Sequence, residues 1–341
     1  DSKLEVTDPL FDTPVPERAV MAVMTSGTTG IPKILFRSFE SWADFFSIQN
    51  EVFGVDADSR LFVQGSLAFT GNLNLYMGQL AAGGTLIAED VFLPGKWEQV
   101  MERERANGIY LIPSKLLMLP RVFKGVNPNI CTIISGSQSL GRNDAEVLKK
   151  IFPNTEITLY YGASELNYIT YVKSADMTEE RNLIGKPFPG VRVFIQDDEM
   201  YVDNAFHVEN ITVPYSLKDS GRMDAQGNFY FLGRTDDIVG VRGRKVSMMK
   251  IENALEEVAG ITEAAVVLLP KEKDAGMPAE IVSAFVTVEG TDVPENLRQQ
   301  LREKLADFEI PKRVIVLEAL PKNTSGKVDK ARLKKMWMDS E

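Results

Sequence analysis

From Arg60 to Ile151 the chain switches repeatedly between two periodicities, and this alternation restricts its fold more than any other feature. Short apolar runs at residues 60–64, 85–88, 108–112 and 131–135 read as strands. Between and after them, residues 72–82, 97–107 and 143–151 carry apolar side chains at helical spacing. Strand and helix in turn call for crossover connections, which predict an α/β domain with a mainly parallel sheet. Upstream, residues 19–24 (AVMAVM) are uniformly apolar, as in a strand buried on both faces. That run breaks into a polar loop at 25–33. A helix is predicted over 41–53, with Trp42, Phe45, Phe46, Ile48, Gln49 and Phe53 in phase and Ser41 as its cap.

The pattern changes after about Lys186. Short strands are predicted at 191–196, 199–202, 207–213 and 228–231, separated by Asp, Asn and Gly turns, and they form a small β-rich section closing the first domain. A charged, Gly-containing stretch follows at 234–245 (RTDDIVGVRGRK). Beyond it come a helix at 248–258, strands at 263–269 and 281–288, a helix at 294–306, a strand at 313–317 and a basic helix at 329–337. The chain of 341 residues is thus expected to hold a large domain over 1–235 and a small α+β domain over 236–341.

Composition narrows the function. Lys and Arg total 38 against 48 Asp and Glu, so a nucleic acid or an anionic membrane is a poor partner. No apolar run is long enough for a spanning helix, and the first residues lack the basic start and apolar stretch of a secretory signal. A single cysteine, Cys131, excludes an internal disulfide and fits a reducing cytoplasm. It is expected to be a buried strand residue. The single histidine, His207, sits in the polar stretch DNAFHVEN and is expected to be an exposed turn residue without a role. Chemistry here must run on Lys, Arg, Asp, Glu, backbone amides and a bound cation.

Several short motifs supply those groups. Thr25-Ser26-Gly27-Thr28-Thr29-Gly30-Ile31-Pro32-Lys33 combines two glycines, several hydroxyls and a lysine. Placed between a buried strand and a helix, such a loop is a cradle for phosphate oxygens, although it is not a P-loop. Tyr161-Gly162-Ala163-Ser164-Glu165 offers an aromatic face for a base and a carboxylate for a hard cation. Lys218-Asp219-Ser220-Gly221-Arg222, Gly233-Arg234-Thr235-Asp236-Asp237, Arg242-Gly243-Arg244-Lys245-Val246 and Pro321-Lys322-Asn323-Thr324-Ser325-Gly326-Lys327-Val328 follow in that order.

In this order the motifs resemble those of the AMP-forming adenylate ligases, the superfamily of acyl-CoA synthetases, aryl-CoA ligases, luciferases and peptide-synthetase adenylation domains. The resemblance implies that Thr25, Ser26, Gly27, Thr29, Gly30 and Lys33 hold ATP phosphates, with Thr28, Glu165 and Lys327 as catalytic groups. Tyr161 and Gly162 would meet the adenine, Ser164 a phosphate and Glu165 the Mg²⁺. Asp219 and Arg234 would hold the ribose, although Leu217 and Lys218 stand where the family has Thr-Gly. Asp236 would be the hinge of a mobile C-terminal domain, and the loop around Arg242–Val246 would enter the site for the thioester step. For the acid, it points to Phe69, Ser135, Gly136, Ser137 and Tyr160. No acidic residue occurs from Ser66 to Ala88 to pair with a substrate ammonium, which argues against amino acids.

The implied activity is ATP- and Mg²⁺-dependent activation of a carboxylic acid to its acyl-AMP, then transfer to the thiol of coenzyme A. Two alternatives stay open: an adenylation enzyme that loads a separate carrier protein, and a non-catalytic nucleotide- or acyl-binding homologue. Only about two dozen residues precede the Thr/Ser/Gly loop, fewer than in most members. A short member or a fragment is therefore expected, with apolar surface that a homodimer would cover.

Overall fold

A computed structural model describes residues 14–25, 33–235, 238–241, 244–271, 280–322 and 328–339. In chain order the strands of its first part are β1 (Ala19–Thr25), β2 (Lys33–Ser38), β3 (Arg60–Val63), β4 (Thr85–Ala88), β5 (Gly108–Tyr110), β6 (Thr132–Gly136), β7 (Glu156–Ala163), β8 (Asn167–Lys173), β9 (Leu183–Pro187), β10 (Arg192–Gln196), β11 (Glu199–Asp203), β12 (Tyr215–Met223) and β13 (Phe229–Arg234). β4, β3, β5, β6 and β7 lie side by side and pair in parallel. β8 and β9 then run antiparallel, and β13, β12, β11 and β10 extend the same sheet. The α/β fold is present, with a mixed sheet rather than a mainly parallel one. Helical crossovers lead up to β7, whereas the link from β7 to β8 is hairpin-short and forces antiparallel pairing.

Alternation along the strands builds a core on each face. Phe62, Ile109, Ile133 and Ile157 pack with Trp97 and Met101 of the helix Pro94–Arg103 and Leu148 of the helix Arg142–Lys149. Leu61, Val63, Tyr110, Ile134 and Tyr160 face the other way. They meet Phe45 and Phe53 of the helix Phe45–Phe53 and Leu75 and Tyr76 of the helix Thr70–Ala81. Burying each such side chain stabilises the fold by about 1.5–3 kcal/mol.

Several expectations are corrected. β1 is not a buried strand of the main sheet. It pairs antiparallel with β2 alone, leaving Val20 and Met24 exposed while Val23 packs with Leu35 and Val208. The predicted helix over 41–53 is broken at Asp44, and its cap is Ser38, whose hydroxyl accepts from Ser41 N at 3.2 Å. Residues 207–213 form no strand, because Val208 N and Glu209 N donate to Glu165 O and Phe36 O instead of to a ladder. The helix predicted over 294–306 is confined to Leu297–Arg302. Cys131 is exposed, one residue ahead of β6. His207 is half-buried rather than exposed.

The chain divides into two units, Asp1–Leu217 with Arg222–Tyr230, and Lys218–Gly221 with Phe231–Glu341. Within the second, the charged stretch yields a hairpin of β14 (Ile238–Val241) and β15 (Arg244–Ser247). β16 (Ile261–Pro270), β17 (Glu280–Val288) and β18 (Arg313–Val316) form a further sheet, with β17 antiparallel to β16 and parallel to β18. Val266 and Ala284 face Ile251 and Leu255 of the helix Met248–Glu256, whereas Val267 and Phe285 face Leu333 of the helix Lys330–Asp339. Among the described residues no helix is long and apolar enough to cross a membrane.

Candidate active site

β7 carries Tyr160, Tyr161 and Gly162 to the carboxyl end of the parallel strands, the end at which open α/β sheets bind ligands. The chain then reverses through Ser164 and Glu165 into β8. The reversal is tight: a Cβ on Gly162 would lie 2.6 Å from Asn167 O, and Asn167 adopts φ +65°. Only glycine fits the first position, and asparagine tolerates the left-handed second one. Leu166 N closes the turn on Ala163 O at 3.1 Å. Ser164 and Glu165 are thereby held at its tip.

A residue absent from the motifs fixes this turn from below. Arg37 of β2 is fully buried, and its guanidinium donates through Nη1 to Ser41 O (3.1 Å) and Phe206 O (2.9 Å) and through Nη2 to Ser164 O (2.8 Å). Burial pushes its pKa down to about 10, while the nearby Glu165 carboxylate opposes that shift. Arg37 is cationic at neutral pH. The segment after Phe206 completes the support, with Val208 N on Glu165 O at 2.9 Å and Glu209 N on Phe36 O at 2.7 Å. A sequence signal existed in an arginine lodged directly after the apolar run Ile34-Leu35-Phe36.

The helix Thr70–Ala81 joins the same cluster. Thr70 Oγ1 and Ser164 Oγ share a hydrogen bond at 2.7 Å, and Tyr168 Oη donates to Gly71 O at 3.2 Å. Asn74 accepts from Trp42 Nε1 and donates to Asn167 Oδ1, both at 2.8 Å. Behind these lie the hydroxyls of Tyr110 and Tyr160, 2.9 Å apart. Burial raises the pKa of Tyr160 to about 12 and those of Tyr110 and Tyr168 well above their ordinary value, so all three are neutral hydrogen-bonding groups.

Of the residues expected to meet the acid, Gly136 and Ser137 lie against Tyr160. A Cβ on Gly136 would lie 2.4 Å from its ring, and one on Gly71 would lie 2.8 Å from its hydroxyl. Ser135 is buried and its hydroxyl is committed to Leu111 O at 2.7 Å. Ser137 is exposed at φ +69° and hydrogen-bonds to Tyr160. Phe69 is exposed, immediately ahead of the helix Thr70–Ala81.

The Thr/Ser/Gly loop connects two antiparallel strands, not a strand and a helix. Its ends, Thr25 and Lys33, are register partners of β1 and β2, and Lys33 is exposed. Ser26, Gly27, Thr28, Thr29 and Gly30 lie outside the described residues, as do Asp236, Arg242, Gly243 and Lys327. In the second unit the buried Asp219 carboxylate stands 3.6 Å from Arg234 Nε. Lys218, at the family's glycine position, has φ +62°, and its carbonyl accepts from Thr235 Oγ1 at 2.9 Å.

Mg²⁺ is commonly held by one or two carboxylates completed by water and phosphate oxygens. Among the described residues no group of three or more Asp, Glu, His or Cys could hold a metal alone. One carboxylate at the tip of a turn, Glu165, fits the phosphate-completed donor set.

A curated acyl-CoA ligase of Bacillus subtilis strain 168, YhfT, itself uncharacterised, is 27% identical over 341 residues, 95% of this chain and 70% of its own length. A linear gramicidin synthase of Brevibacillus parabrevis is 26% identical over 91% of this chain and 7% of that much longer protein. In fold, the chain is similar to the O-succinylbenzoate coenzyme A synthetase of Bacillus subtilis solved with ATP and magnesium, with a TM-score of 0.80 at 20% identity, covering 92% of this chain and 69% of that one. Residues 250–327 match the AMP-binding enzyme C-terminal domain. Residues 2–205, more than half of the chain, match the AMP-binding enzyme family, to which this protein belongs.

Proposed function

We propose that the protein activates a carboxylic acid with ATP, releasing pyrophosphate, and passes the acyl group from acyl-AMP to the thiol of coenzyme A. The observation that carries this function is the pinned turn. Glu165 and Ser164 stand at the carboxyl end of the parallel strands, just after β7, on a backbone held by Arg37.

In this function the loop at 25–33 holds the phosphates and Tyr161 and Gly162 meet the adenine. Asp219 receives the ribose hydroxyls, since a carboxylate has two oxygens to offer, and Arg234 neutralises it. Glu165 holds Mg²⁺, which when bound offsets phosphate charge. The acid lies against Phe69, Gly136, Ser137 and Tyr160. Its carboxylate attacks the α-phosphorus of ATP and pyrophosphate leaves. Thr28 and the Lys327 ammonium stabilise the charge that develops there. Rotation of a C-terminal domain over 236–341 about Asp236 then admits the thiol, and the whole sequence suits a cytoplasmic setting.

The test is pyrophosphate release from ATP and Mg²⁺ across aryl, short-chain and long-chain acids, with and without coenzyme A, using Lys327→Ala as the blank. Acid-dependent release accelerated by coenzyme A is expected. Binding of ATP without release from any acid would favour a non-catalytic homologue instead. The similarity to a gramicidin synthase supports a second acceptor, a phosphopantetheine-bearing carrier protein. Acylation of such a protein, with coenzyme A inert, would establish it.

A further inference from the structure

At the carboxyl ends of β3 and β5 the protein places a cation with no task in the chemistry above. Lys115 lies in the short helix Pro113–Leu116, just after β5. Its ammonium donates to the backbone carbonyl of Gln64 at 3.1 Å and to the Gln64 side-chain oxygen, and it stands 5.9 Å from the ring centre of Phe92. These partners are all uncharged. Burial lowers its pKa, and among the described residues Lys115 forms no ion pair with a carboxylate. In a chain with 48 acidic residues, a half-buried ammonium left to neutral acceptors is an incomplete arrangement. Gln64 occupies two of its three N–H donors, and among the described residues the third has no acceptor.

This cation is joined to the residues around Tyr160 on both sides. Ser114 N donates to Gln138 Oε1 at 2.9 Å, linking the Lys115 helix to the residue after Ser137. On the Gln64 side, Tyr76 Oη donates to Gly65 O at 3.1 Å and Asn72 Nδ2 to Ser66 O at 2.8 Å. Both donors sit on the helix Thr70–Ala81, whose first turn carries Thr70, bonded to Ser164, and Gly71, which faces the hydroxyls of Tyr160 and Tyr110. One end of the sheet therefore holds, in linked succession, the Ser164 turn, the tyrosine pair and the Lys115 ammonium.

We infer that Lys115 is an anion subsite of the acid pocket, and that the acid activated here carries a second carboxylate at its far end; this rests on the acid-activating function proposed above. One carboxylate reacts beside Ser164 and Glu165 while the other pairs with Lys115. An acid ending in a methyl group would instead set an apolar tail against a desolvated charge, which costs affinity.

The test compares linear dicarboxylic acids with their half-methyl esters and with monocarboxylic acids of equal length, in the full chain and in Lys115→Met and Lys115→Arg. Pyrophosphate release gives kcat/KM, and calorimetry gives binding of each acid and of ATP. The wild type should favour the best dicarboxylic acid over its half ester by at least about tenfold, the scale of one charge-assisted hydrogen bond. Lys115→Met should reduce that ratio at least about tenfold, and Lys115→Arg should keep most of it. Equal use of diacid and half ester by the wild type overturns the subsite, as does an unchanged ratio in Lys115→Met. A loss confined to ATP affinity gives Lys115 to the nucleotide and overturns it too. Should no acid release pyrophosphate, acid activation fails separately and calorimetry decides the subsite. Diacid binding that Lys115→Met abolishes upholds it, and absence of diacid binding overturns it.

Discussion

Arg37 Nη2 donates to the carbonyl oxygen of Ser164 at 2.8 Å, which fastens a fully buried cation to the residue preceding Glu165. The same guanidinium holds Ser41 O and Phe206 O, so three separate segments meet on one planar group. Its removal should be felt in both folding and nucleotide binding.

Arg37→Met would leave three carbonyls without their donor, and at about 1–3 kcal/mol each the loss of stability should reach about 3 kcal/mol or more in urea unfolding. Arg37→Lys keeps the charge but lacks the planar fork and should recover only part. In that folded variant the Mg²⁺ concentration for half-maximal ATP binding should rise severalfold. An unchanged Mg²⁺ dependence would reduce Arg37 to a purely structural role.

Lys218 carries a left-handed backbone that costs a non-glycine residue about 1–2 kcal/mol, against about 0.5–1 kcal/mol of extra chain entropy for glycine. Lys218→Gly should therefore raise stability by up to about 1 kcal/mol in urea unfolding, and Lys218→Val should lower it. A loss in the glycine variant would show that the lysine side chain contributes more than its backbone costs.

A methyl group at position 136 collides with the Tyr160 ring. Gly136→Ala should destabilise by about 1–3 kcal/mol, as overpacked cores do. Tyr160→Leu in the same chain should relieve part of that. Chemical unfolding of the two single variants and the pair should then show coupling above about 0.5 kcal/mol.

The buried phenols carry a pH dependence of definite sign. Tyr160 has its pKa raised from 10.0 to about 12 by burial, so its contribution to stability is fully present below pH 10 and is lost as pH rises through 12. Tyrosinate absorbance in the native protein should omit Tyr110, Tyr160 and Tyr168 until the fold gives way. Their smooth titration near pH 10 in folded protein would contradict the burial.

Asp219 and Arg234 should act on the nucleotide rather than on the acid. Asp219→Ala should weaken ATP binding at least about tenfold, since hydrogen bonds to a charged group are worth about 1.5–3 kcal/mol. Calorimetry with ATP alone measures it, and an unchanged affinity would remove Asp219 from the ribose.

Much of the frame is legible in the sequence because periodicity records which faces are buried. The alternation from Arg60 to Ile151 reappears as β3 to β6 with their helices, shifted by a few residues. The Tyr161–Glu165 motif lies at the carboxyl end of the parallel strands. The hairpin of β7 and β8 escapes a reading by pattern because its reversal falls in and just after that motif, where Gly162 looks like a ligand-binding rather than a turn residue. The apolar run at 19–24 misleads because exposed hairpin strands and buried parallel ones share a composition. Arg37 is hidden for a different reason. A charged side chain in a strand reads as surface until three carbonyls, two of them more than a hundred residues away, are seen to converge on it.

The way the chain divides bears on any attempt to exchange parts between relatives. Lys218–Gly221 belong with Phe231–Glu341, although a different unit's residues, Arg222–Tyr230, separate them in sequence. The second unit is therefore not a cassette with one seam. A graft that begins at Phe231 imports Arg234 without its ion-pair partner Asp219, and a faithful transplant must carry the short 218–221 insert as well.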